Sequence, residues 1–463
     1  MSEKRNSFSS SLGFVLAAAG SAVGLGNIWR FPYLAAKDGG GIFLVVYLVL
    51  VLTFGFTMMV TEIAIGRKTK QSALTAYGRL HKKSRWIGVI ACLVPFLIMP
   101  YYCVIGGWVF KYLTVFLTGG CSAAAQDGYF TTFITGSWQP IVFDLVFLGA
   151  AAFVIYRGVN KGIEAISRIL MPVLLLFVVG IAIFSVTIQG GGERSGLDGL
   201  KIYLIPNLTG MGFWDVFVVI LDAMGQLFYS ISVAMGIMVT YGSYFKDEND
   251  LMKSVNQIEF FDTIVALLAG VMIIPAVYVF LGQEGMQASG PGLMFIALPK
   301  VFEQMGWIGN FIGAVFFFMV LLAALTSAMS ILEAVVASLI DAFGWTRRKA
   351  TIIESIIAGA IGIVICFGYN LLYFEVKLPN GGTGQLLDIV DYLSNNILMP
   401  VVAIGTCILI GWIVKPETVV DEATKNGEKF QRKHLYYAMI KFIAPVMLLI
   451  LLLGSLGVFH DKT

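Results

Sequence analysis

Polar side chains lie at mid-span positions of several long apolar runs, where a bilayer offers them no water. They share neutral amide or hydroxyl oxygens, and they are Asn27, Gln226, Ser230, Ser232, Thr326 and Ser327. An unpaired polar group in hydrocarbon is costly, so helix packing alone does not explain six such groups near one depth. Neutral oxygens are ligands that a hard monovalent cation prefers. The set therefore predicts cation-binding chemistry inside a membrane, although the Thr326 and Ser327 hydroxyls could instead bond to their own helix backbone.

The helices that must position these groups are interrupted near their middles. The first apolar span carries the glycines and the amide of Gly20–Asn27 ahead of Arg30, and the sixth carries polar residues between Gly225 and Gly236. Such segments predict broken helices. Because the two breaks are five spans apart, the second five-helix unit enters the membrane the other way up, as an inverted repeat. Paired breaks predict a binding site between the repeats, and close helix packing is the alternative explanation for any single glycine.

The composition indicates a membrane protein. Hydrophobic residues make up 58% and charged residues 13% of the 463 positions, whereas about a quarter of the residues in soluble domains are charged. Runs long enough to cross the hydrocarbon core predict eleven spans, near 12–35, 41–66, 88–117, 141–156, 166–188, 213–243, 257–282, 308–338, 351–373, 386–413 and 437–459. The chain is therefore predicted to be an all-α membrane protein with eleven transmembrane helices. Its small net charge of +3 predicts no nucleic-acid partner.

The distribution of basic residues predicts the orientation in the membrane. Connections after even-numbered spans hold most of the lysines and arginines, within Arg67–Arg85, Arg157–Arg168 and Arg347–Lys349, and the opposite loops hold few. The positive-inside rule then places the N-terminus in the cytoplasm and His460–Thr463 outside, in the plasma (inner) membrane of the cell. The first apolar stretch lacks a signal-peptide cleavage pattern, so we expect it to be retained as a span.

Long stretches of the chain resemble the signature of the neurotransmitter:sodium symporters. The matching stretches are Gly20–Pro32, Gly39–Phe43, Thr61–Arg67, Tyr101–Tyr102, Gly225–Phe228, Ala323–Ser327 and Asp341. The resemblance implies one transporter domain over residues 1–463, with inverted repeats at about 8–190 and 210–414 and an eleventh helix at about 437–459. It also implies Na+-coupled symport of amino acids by alternating access, with the amino acid and the lipid bilayer as partners and no obligatory protein partner.

The resemblance implies two sodium sites. The second site uses backbone oxygens of span 1 and hydroxyls of span 8, which map to Gly20, Val23, Ala323, Thr326 and Ser327. The first site maps to Ala22, Asn27, Ser230 and Asp262, with the substrate carboxylate as a further ligand. Two Na+ ions are therefore the expected cofactors.

Span 7 differs from the leucine-transporter prototype of the family by carrying Asp262 in place of an asparagine. Chloride-dependent animal relatives hold an anion near this sodium through a serine four residues further on, and that position here is Ala266. A fixed carboxylate beside Na+ supplies the negative charge, so chloride is not expected to be required. The alternative is a protonated Asp262 that bonds to a neighbouring helix.

The substrate implied by the resemblance is a neutral amino acid. Gly24 stands where amine carriers of the family have an aspartate, so we expect a ligand that brings its own carboxylate. This carboxylate would contact Na+, Gly26 and Tyr102, and the ammonium would contact Ser327 and carbonyls of span 6. The side-chain pocket maps to Ile98, Tyr229, Ser232, Met235 and Ile331. It is largely apolar, and the flexible Met235 adapts to different shapes, which favours hydrophobic or aromatic amino acids.

Gates and supporting residues are also implied by the resemblance. The gate residues are Arg30 and Asp391 at the outer end, with Asp388 as a rival acid, and Arg5, Asp341 and Tyr244 at the inner end. Phe8 replaces a tryptophan of the prototype in the inner gate. Glu62 and Gln226 are expected to support the unwound sixth helix.

Other functions stay open from the sequence. The chain could carry small neutral amino acids, or it could be a transport-like sensor that binds a ligand without moving it. An enzyme is not expected, because His81, His434 and His460 all lie in or beside loops and no Cys-His metal spacing occurs.

Overall fold

The computed structural model describes residues 7–189, 194–286 and 288–459. In this part of the chain, ten continuous helices are long and apolar enough to cross a membrane, and a helix pair bent by 51° supplies an eleventh span. Spans 1 to 11 are, in chain order, Ser11–Ala22 with Gly26–Lys37, Gly41–Thr69, Lys82–Leu117, Gln139–Tyr156, Val159–Thr187, Phe213–Ser230, Leu251–Gly285, Gly306–Phe343, Arg347–Phe367, Leu386–Ile413 and Lys433–Ser455. The predicted all-α membrane fold with eleven spans is confirmed, whereas the boundaries of the two repeats stay a prediction.

Short elements connect the spans. The helices among them are Ala73–Leu80, Cys121–Ala124, Tyr129–Ile134, Gly196–Leu204, Glu417–Ala423 and the consecutive segments Gly290–Gly292, Leu293–Ala297 and Leu298–Gln304. The strands Val376–Lys377 and Thr383–Gly384 pair antiparallel. Span 9 ends at Phe367, earlier than the predicted residue 373, because the Leu372 N–H bonds to the Phe367 carbonyl (2.8 Å) and turns the chain toward this hairpin.

Span 1 breaks where its glycine-rich segment predicts. The first half ends at Ala22, and Val23 leaves the helical region with φ −74° and ψ 89°. Carbonyl groups at the end of a helix have no partner within it. Here the Ser21 carbonyl accepts hydrogen bonds from the hydroxyls of Ser232 (3.0 Å) and Ser327 (3.1 Å). Side chains of spans 6 and 8 therefore satisfy the broken end of span 1.

Span 6 breaks after Ser230 and resumes as the helix Ile237–Ser243. Within the break, Ser232 (φ 55°), Ala234 (φ 61°) and Gly236 (φ 71°) adopt left-handed backbone conformations. A non-glycine residue held in this region costs about 1–3 kcal/mol, so the surroundings must hold it there. The unwound shape of span 6 is therefore imposed by its neighbours as well as by its own residues.

Span 2 and the second half of span 6 pack backbone against backbone. A Cβ atom added at Gly66 would lie 1.9 Å from the Val239 carbonyl oxygen, and one added at Gly242 would lie 2.4 Å from the Ile63 carbonyl oxygen. Small residues permit this approach between membrane helices. The contact fixes span 2 beside the break, which places Glu62 within reach of it.

Candidate functional site

A cavity lies between the breaks of spans 1 and 6 and the faces of spans 3 and 8. About 400 Å³ of space in and around it, which includes open solvent, is filled by no atom. All nine predicted substrate residues line it, namely Gly24, Gly26, Ile98, Tyr102, Tyr229, Ser232, Met235, Ser327 and Ile331. None of the described residues in its wall is charged. The structure therefore brings the nine together, and their role in binding stays a prediction.

The cavity has one polar end and one apolar end. Ile98, Met235 and Ile331 present apolar surface to it. The buried hydroxyl of Tyr102 makes no hydrogen bond within 3.5 Å to any described residue, and its nearest polar neighbours are Ser327 and the backbone of Leu25. A buried polar group without a partner is costly unless a ligand or water satisfies it. The Tyr102 hydroxyl is thus available to a bound molecule.

A carboxylate cluster adjoins this cavity. The Asn27 side-chain amide donates a hydrogen bond to Asp262 Oδ1 (2.8 Å), and the Ser230 hydroxyl lies 2.8 Å from both Asn27 Oδ1 and Asp262 Oδ1. Asp262 is fully buried. Ala22 lines the cavity beside Asn27. The side-chain oxygens of Asn27, Ser230 and Asp262 therefore lie together, and a buried carboxylate beside neutral oxygens suits a monovalent cation.

Four of the five residues predicted for the second sodium site, Gly20, Ala323, Thr326 and Ser327, lie where spans 1 and 8 meet. Thr326 donates its hydroxyl to the Ala323 carbonyl (2.9 Å), and Ser327 donates its hydroxyl to the Ser21 carbonyl (3.1 Å). A Cβ atom added at Gly20 would lie 3.3 Å from Thr326 Cβ, so the start of the break in span 1 touches span 8 at this level. A hydroxyl that donates its hydrogen keeps its oxygen lone pairs for a cation.

Two polar side chains tie the broken helices to their surroundings. Glu62 Oε1 accepts a hydrogen bond from the Ala234 N–H (2.6 Å), in the break of span 6. The Gln226 side-chain amide donates to the Gly26 carbonyl (3.1 Å), just after the break of span 1. These contacts lie where the sequence predicts support for span 6. Gln226 also joins the helix before the break of span 6 to the residue after the break of span 1.

The predicted outer end contains an open vestibule of about 1700 Å³ lined by Arg30. Within the described part of the chain, Arg30 and Asp391 form no ion pair within 4.0 Å. Both side chains lie close enough to Tyr229 to interact with it electrostatically. The two rival acids differ in their contacts. Asp388 accepts a hydrogen bond from the Gln385 N–H (2.9 Å) and so caps its own helix, whereas half-buried Asp391 faces Tyr101 and Arg30. This geometry favours Asp391 as the partner of Arg30.

A second charge cluster lies in the same vestibule. Lys37 forms an ion pair with Asp222 (2.8 Å) that joins the last residue of span 1 to the middle of the helix Phe213–Ser230. Asp38 lies 3.8 Å from the Lys37 ammonium. Burial, and next the neighbouring Asp222 carboxylate, raise the pKa of Asp38 to about 7. Asp222 therefore faces the vestibule, and its charge is compensated.

The predicted inner end is closed by packed side chains. The buried Phe8 ring lies 5.6 Å from the Tyr241 ring and 6.3 Å from the Tyr244 ring, centroid to centroid. Asp341 accepts a hydrogen bond from the Ser72 N–H (2.7 Å). Arg5 lies outside the described residues, so its predicted gate contact is not part of this geometry. The predicted inner end is therefore closed, whereas the vestibule at the opposite end is open.

The sequence did not identify two groups that the structure brings into these regions. The Tyr47 hydroxyl lies 3.5 Å from Asp262 Oδ2, and a tyrosine amid the apolar residues of span 2 was the available signal. At the inner end, buried Glu333 accepts hydrogen bonds from Tyr244 (2.6 Å) and from both terminal nitrogens of Arg347 (2.6 and 2.8 Å). An acid within span 8 followed by arginines was the signal for this cluster.

Known proteins are similar to almost the entire chain. The model of the sodium:neurotransmitter symporter family matches residues 5–127 and 137–463. The uncharacterized sodium-dependent transporter YhdH of Bacillus subtilis (strain 168) is 34% identical over 473 aligned residues, which cover 99% of each chain. The sodium- and chloride-dependent GABA transporter 2 of Homo sapiens is 29% identical, over 89% of this chain and 73% of its own length.

A solved structure extends the similarity to three dimensions. It is the crystal structure of MhsT in complex with L-phenylalanine, which is 33% identical to this chain and superposes with a TM-score of 0.85. The match covers 98% of this chain and 100% of the other. At this level of identity and coverage, the arrangement of all the spans is shared.

Proposed function

Since the chain belongs to the sodium:neurotransmitter symporter family, we propose that it couples the entry of Na+ to the uptake of neutral, hydrophobic or aromatic L-amino acids. The family is one of sodium-dependent membrane transporters. The observation that supports this substrate class is the central cavity, whose described lining is uncharged and apolar at one end and has an available hydroxyl at the other.

The polar end of the cavity suits the backbone groups of an amino acid. The substrate carboxylate would accept hydrogen bonds from the Tyr102 hydroxyl and the Gly26 N–H, and it would complete the shell of the first sodium. The ammonium would contact Ser327 and free carbonyls of span 6. A Cβ atom added at Gly24 would lie 2.9 Å from Ser327 Oγ. The aspartate of amine carriers would therefore crowd the position of the ammonium and repel the carboxylate.

The apolar end of the cavity suits a large hydrophobic side chain. Ile98, Met235 and Ile331 supply this surface, and the Tyr229 ring covers Gly26, since a Cβ atom there would lie 2.7 Å from Tyr229 Cδ1. Met235 can reshape around different apolar groups. MhsT, by its title, binds L-phenylalanine. We propose the same class of ligand for this chain, with small neutral amino acids as the alternative.

The proposed cycle uses two Na+ ions and does not require chloride. The first ion would bind at Asp262, Asn27, Ser230 and the Ala22 carbonyl, and the second at Thr326, Ser327 and carbonyls of Gly20, Val23 and Ala323. Pairing of Arg30 with Asp391 would close the vestibule, and separation of Phe8 and Asp341 from their partners would open the inner end. The protein would act in the plasma membrane with its N-terminus in the cytoplasm.

Uptake by the purified protein in proteoliposomes tests this function. Radiolabelled L-phenylalanine should accumulate under an inward Na+ gradient, and hydrophobic and aromatic members of the twenty amino acids should compete best. Replacement of Na+ by choline should abolish accumulation. Undiminished uptake in choline would contradict sodium coupling, and saturable binding without flux would instead favour a ligand sensor.

A further inference from the structure

Span 4 contains a buried acid that the proposed transport cycle does not use. Asp144 lies five residues into the helix Gln139–Tyr156, or about 8 Å along its axis. None of its surface is exposed. Among the residues that the structure describes, no group hydrogen-bonds to either of its carboxyl oxygens. Both oxygens therefore lie in the protein interior without a partner.

Spans 3 and 9 pack against Asp144 at positions where both carry glycine, with span 9 against its carboxyl and span 3 against its backbone. A Cβ atom added at Gly362 would lie 2.7 Å from Asp144 Oδ2, and one added at Gly107 would lie 2.6 Å from the Asp144 backbone nitrogen. The titratable groups that face it are two buried thiols, Cys103 on span 3 and Cys366 on span 9. Span 8 also packs against span 4 and presents no described charged group to this carboxyl.

This pocket accommodates a neutral carboxyl and opposes a charged one. An ionised carboxylate in an apolar interior needs hydrogen-bond donors or a cation, and the described surroundings of Asp144 supply neither. A protonated carboxyl carries no net charge and fits the same space. The geometry is therefore that of an acid that holds its proton in this conformation.

Span 3 connects the pocket to the central cavity. Tyr102 lines the cavity, and the next residue, Cys103, lies toward Asp144. Gly107, further along the same helix, bears against the Asp144 backbone. Loss of the proton would leave a carboxylate that requires water, and the entry of water requires spans 3 and 4 to separate. Such a movement would displace the Tyr102 hydroxyl from the polar end of the cavity.

We propose that Asp144 is a proton-binding site whose occupancy controls the packing of span 3 behind the substrate cavity. The carboxyl is protonated in the arrangement described. When spans 3, 4 and 9 separate, the O–H bond of the carboxyl breaks and the proton passes to a water molecule, which leaves the carboxylate hydrated. The effect on substrate binding rests on the proposed function, whereas the proton site itself does not.

Infrared spectroscopy of the purified full-length protein tests the proton site directly. A protonated carboxyl absorbs at a frequency that shifts when H2O is replaced by D2O, and Asp144→Asn should remove one such band. Glu354→Gln, which changes another buried acid on span 9, should leave that band in place. Gly362→Ala should shift it, because the added methyl group meets Asp144 Oδ2, and this variant keeps the test decisive if Asp144→Asn does not fold. A carboxyl spectrum that neither Asp144→Asn nor Gly362→Ala changes would overturn the proposal.

A binding experiment tests the link to the cavity. The affinity for L-phenylalanine in saturating Na+ should fall as the pH rises in the wild-type protein, because ionisation opposes the close packing of span 3. The fall should be lost in Asp144→Asn and retained in Glu354→Gln. Identical pH profiles for wild type and Asp144→Asn would refute the coupling. An intact infrared band in a protein that binds no amino acid would count for the proton site and against the proposed function.

Discussion

The hydroxyls of Thr326 and Ser327 already donate their hydrogens to the carbonyls of Ala323 and Ser21. The Thr326 hydrogen is therefore directed at its own helix and the Ser327 hydrogen at the end of span 1, and each hydroxyl oxygen keeps lone pairs for a cation. The sequence left back-bonding and cation binding as alternatives for this pair. The structure shows back-bonding for Thr326 alone, since Ser327 bonds to span 1, and neither hydrogen bond prevents the hydroxyl oxygen from accepting a cation.

The double variant Thr326→Val with Ser327→Ala should weaken sodium activation of uptake. Loss of two oxygen ligands should raise the half-saturating Na+ concentration about tenfold, which corresponds to a loss of about 1.4 kcal/mol of binding free energy. Both new side chains suit an apolar helix. Uptake measured across a range of Na+ concentrations gives the value. Ser330→Ala, which removes a buried hydroxyl of the same helix that bonds to the Thr326 carbonyl, is the control. A double variant with wild-type sodium activation would place the second site elsewhere.

Asp262 is held by Asn27 and Ser230, so its carboxyl has a fixed place beside the predicted first sodium. Replacement of chloride by gluconate should therefore leave wild-type uptake unchanged. Asp262→Asn with Ala266→Ser removes the fixed charge and adds a hydroxyl that can help hold an anion, so the remaining uptake should depend on chloride. Ala266→Ser alone should stay chloride-independent. A wild-type protein that needs chloride would contradict this role of Asp262.

At the scale of elements, the break of span 6 depends on span 2. Two non-glycine residues of the break, Ser232 and Ala234, have left-handed backbones, and Glu62 bonds to the Ala234 N–H. Span 2 reaches this position because Gly66 and Gly242 let the two backbones meet. The unwound segment, which lines the cavity through Ser232 and Met235, is thus maintained by a contact between helices.

Removal of the Glu62 acceptor should destabilise this break. Glu62→Ala leaves the buried Ala234 N–H without a partner, which should cost about 1–3 kcal/mol, lower the melting temperature in detergent and reduce uptake. Glu62→Gln keeps an acceptor oxygen, so its melting temperature and its uptake should fall less than those of Glu62→Ala. The comparison separates the hydrogen bond from the charge, and equal behaviour of the alanine variant and wild type would show that the bond does not support the break.

The two ends of the whole molecule differ in packing. The predicted outer end is open above Tyr229, whereas Phe8, Tyr241 and the pair of Glu333 with Arg347 fill the predicted inner end. A central cavity between one open and one closed end is the geometry that alternating access requires. In the opposite conformation of the transport cycle, the predicted outer end should be closed and the predicted inner end open, with the same cavity between them.

Transport by the whole molecule should be electrogenic. An amino acid zwitterion carries no net charge, so each Na+ that enters with it moves one charge, worth about 2.3 kcal/mol per 100 mV. A potassium diffusion potential, negative inside the proteoliposomes, should accelerate Na+-driven uptake of L-phenylalanine, and liposomes without protein supply the control. Uptake that is indifferent to the potential would require a compensating charge movement.

The sequence by itself determined the spans, the two breaks and the polar groups near them. Hydrocarbon imposes a minimum length on each apolar run, and it makes every interruption by glycine or an amide stand out. The resemblance to a known family then identified nine of the residues that line the cavity. These features depend on local composition and on matched motifs, and both can be recognised from the order of residues along the chain.

Only the tertiary structure decided which polar groups meet. Asp388 and Asp391 lie three residues apart in the chain, yet one caps its own helix and the other faces Arg30. Tyr47 approaches Asp262, and Asp144 packs between two glycines with no hydrogen-bond partner in the described part of the chain, because the neighbouring helices present these faces to them. The partner of a side chain depends on the rotation and contact distance of packed helices, and the order of residues along one helix does not specify either.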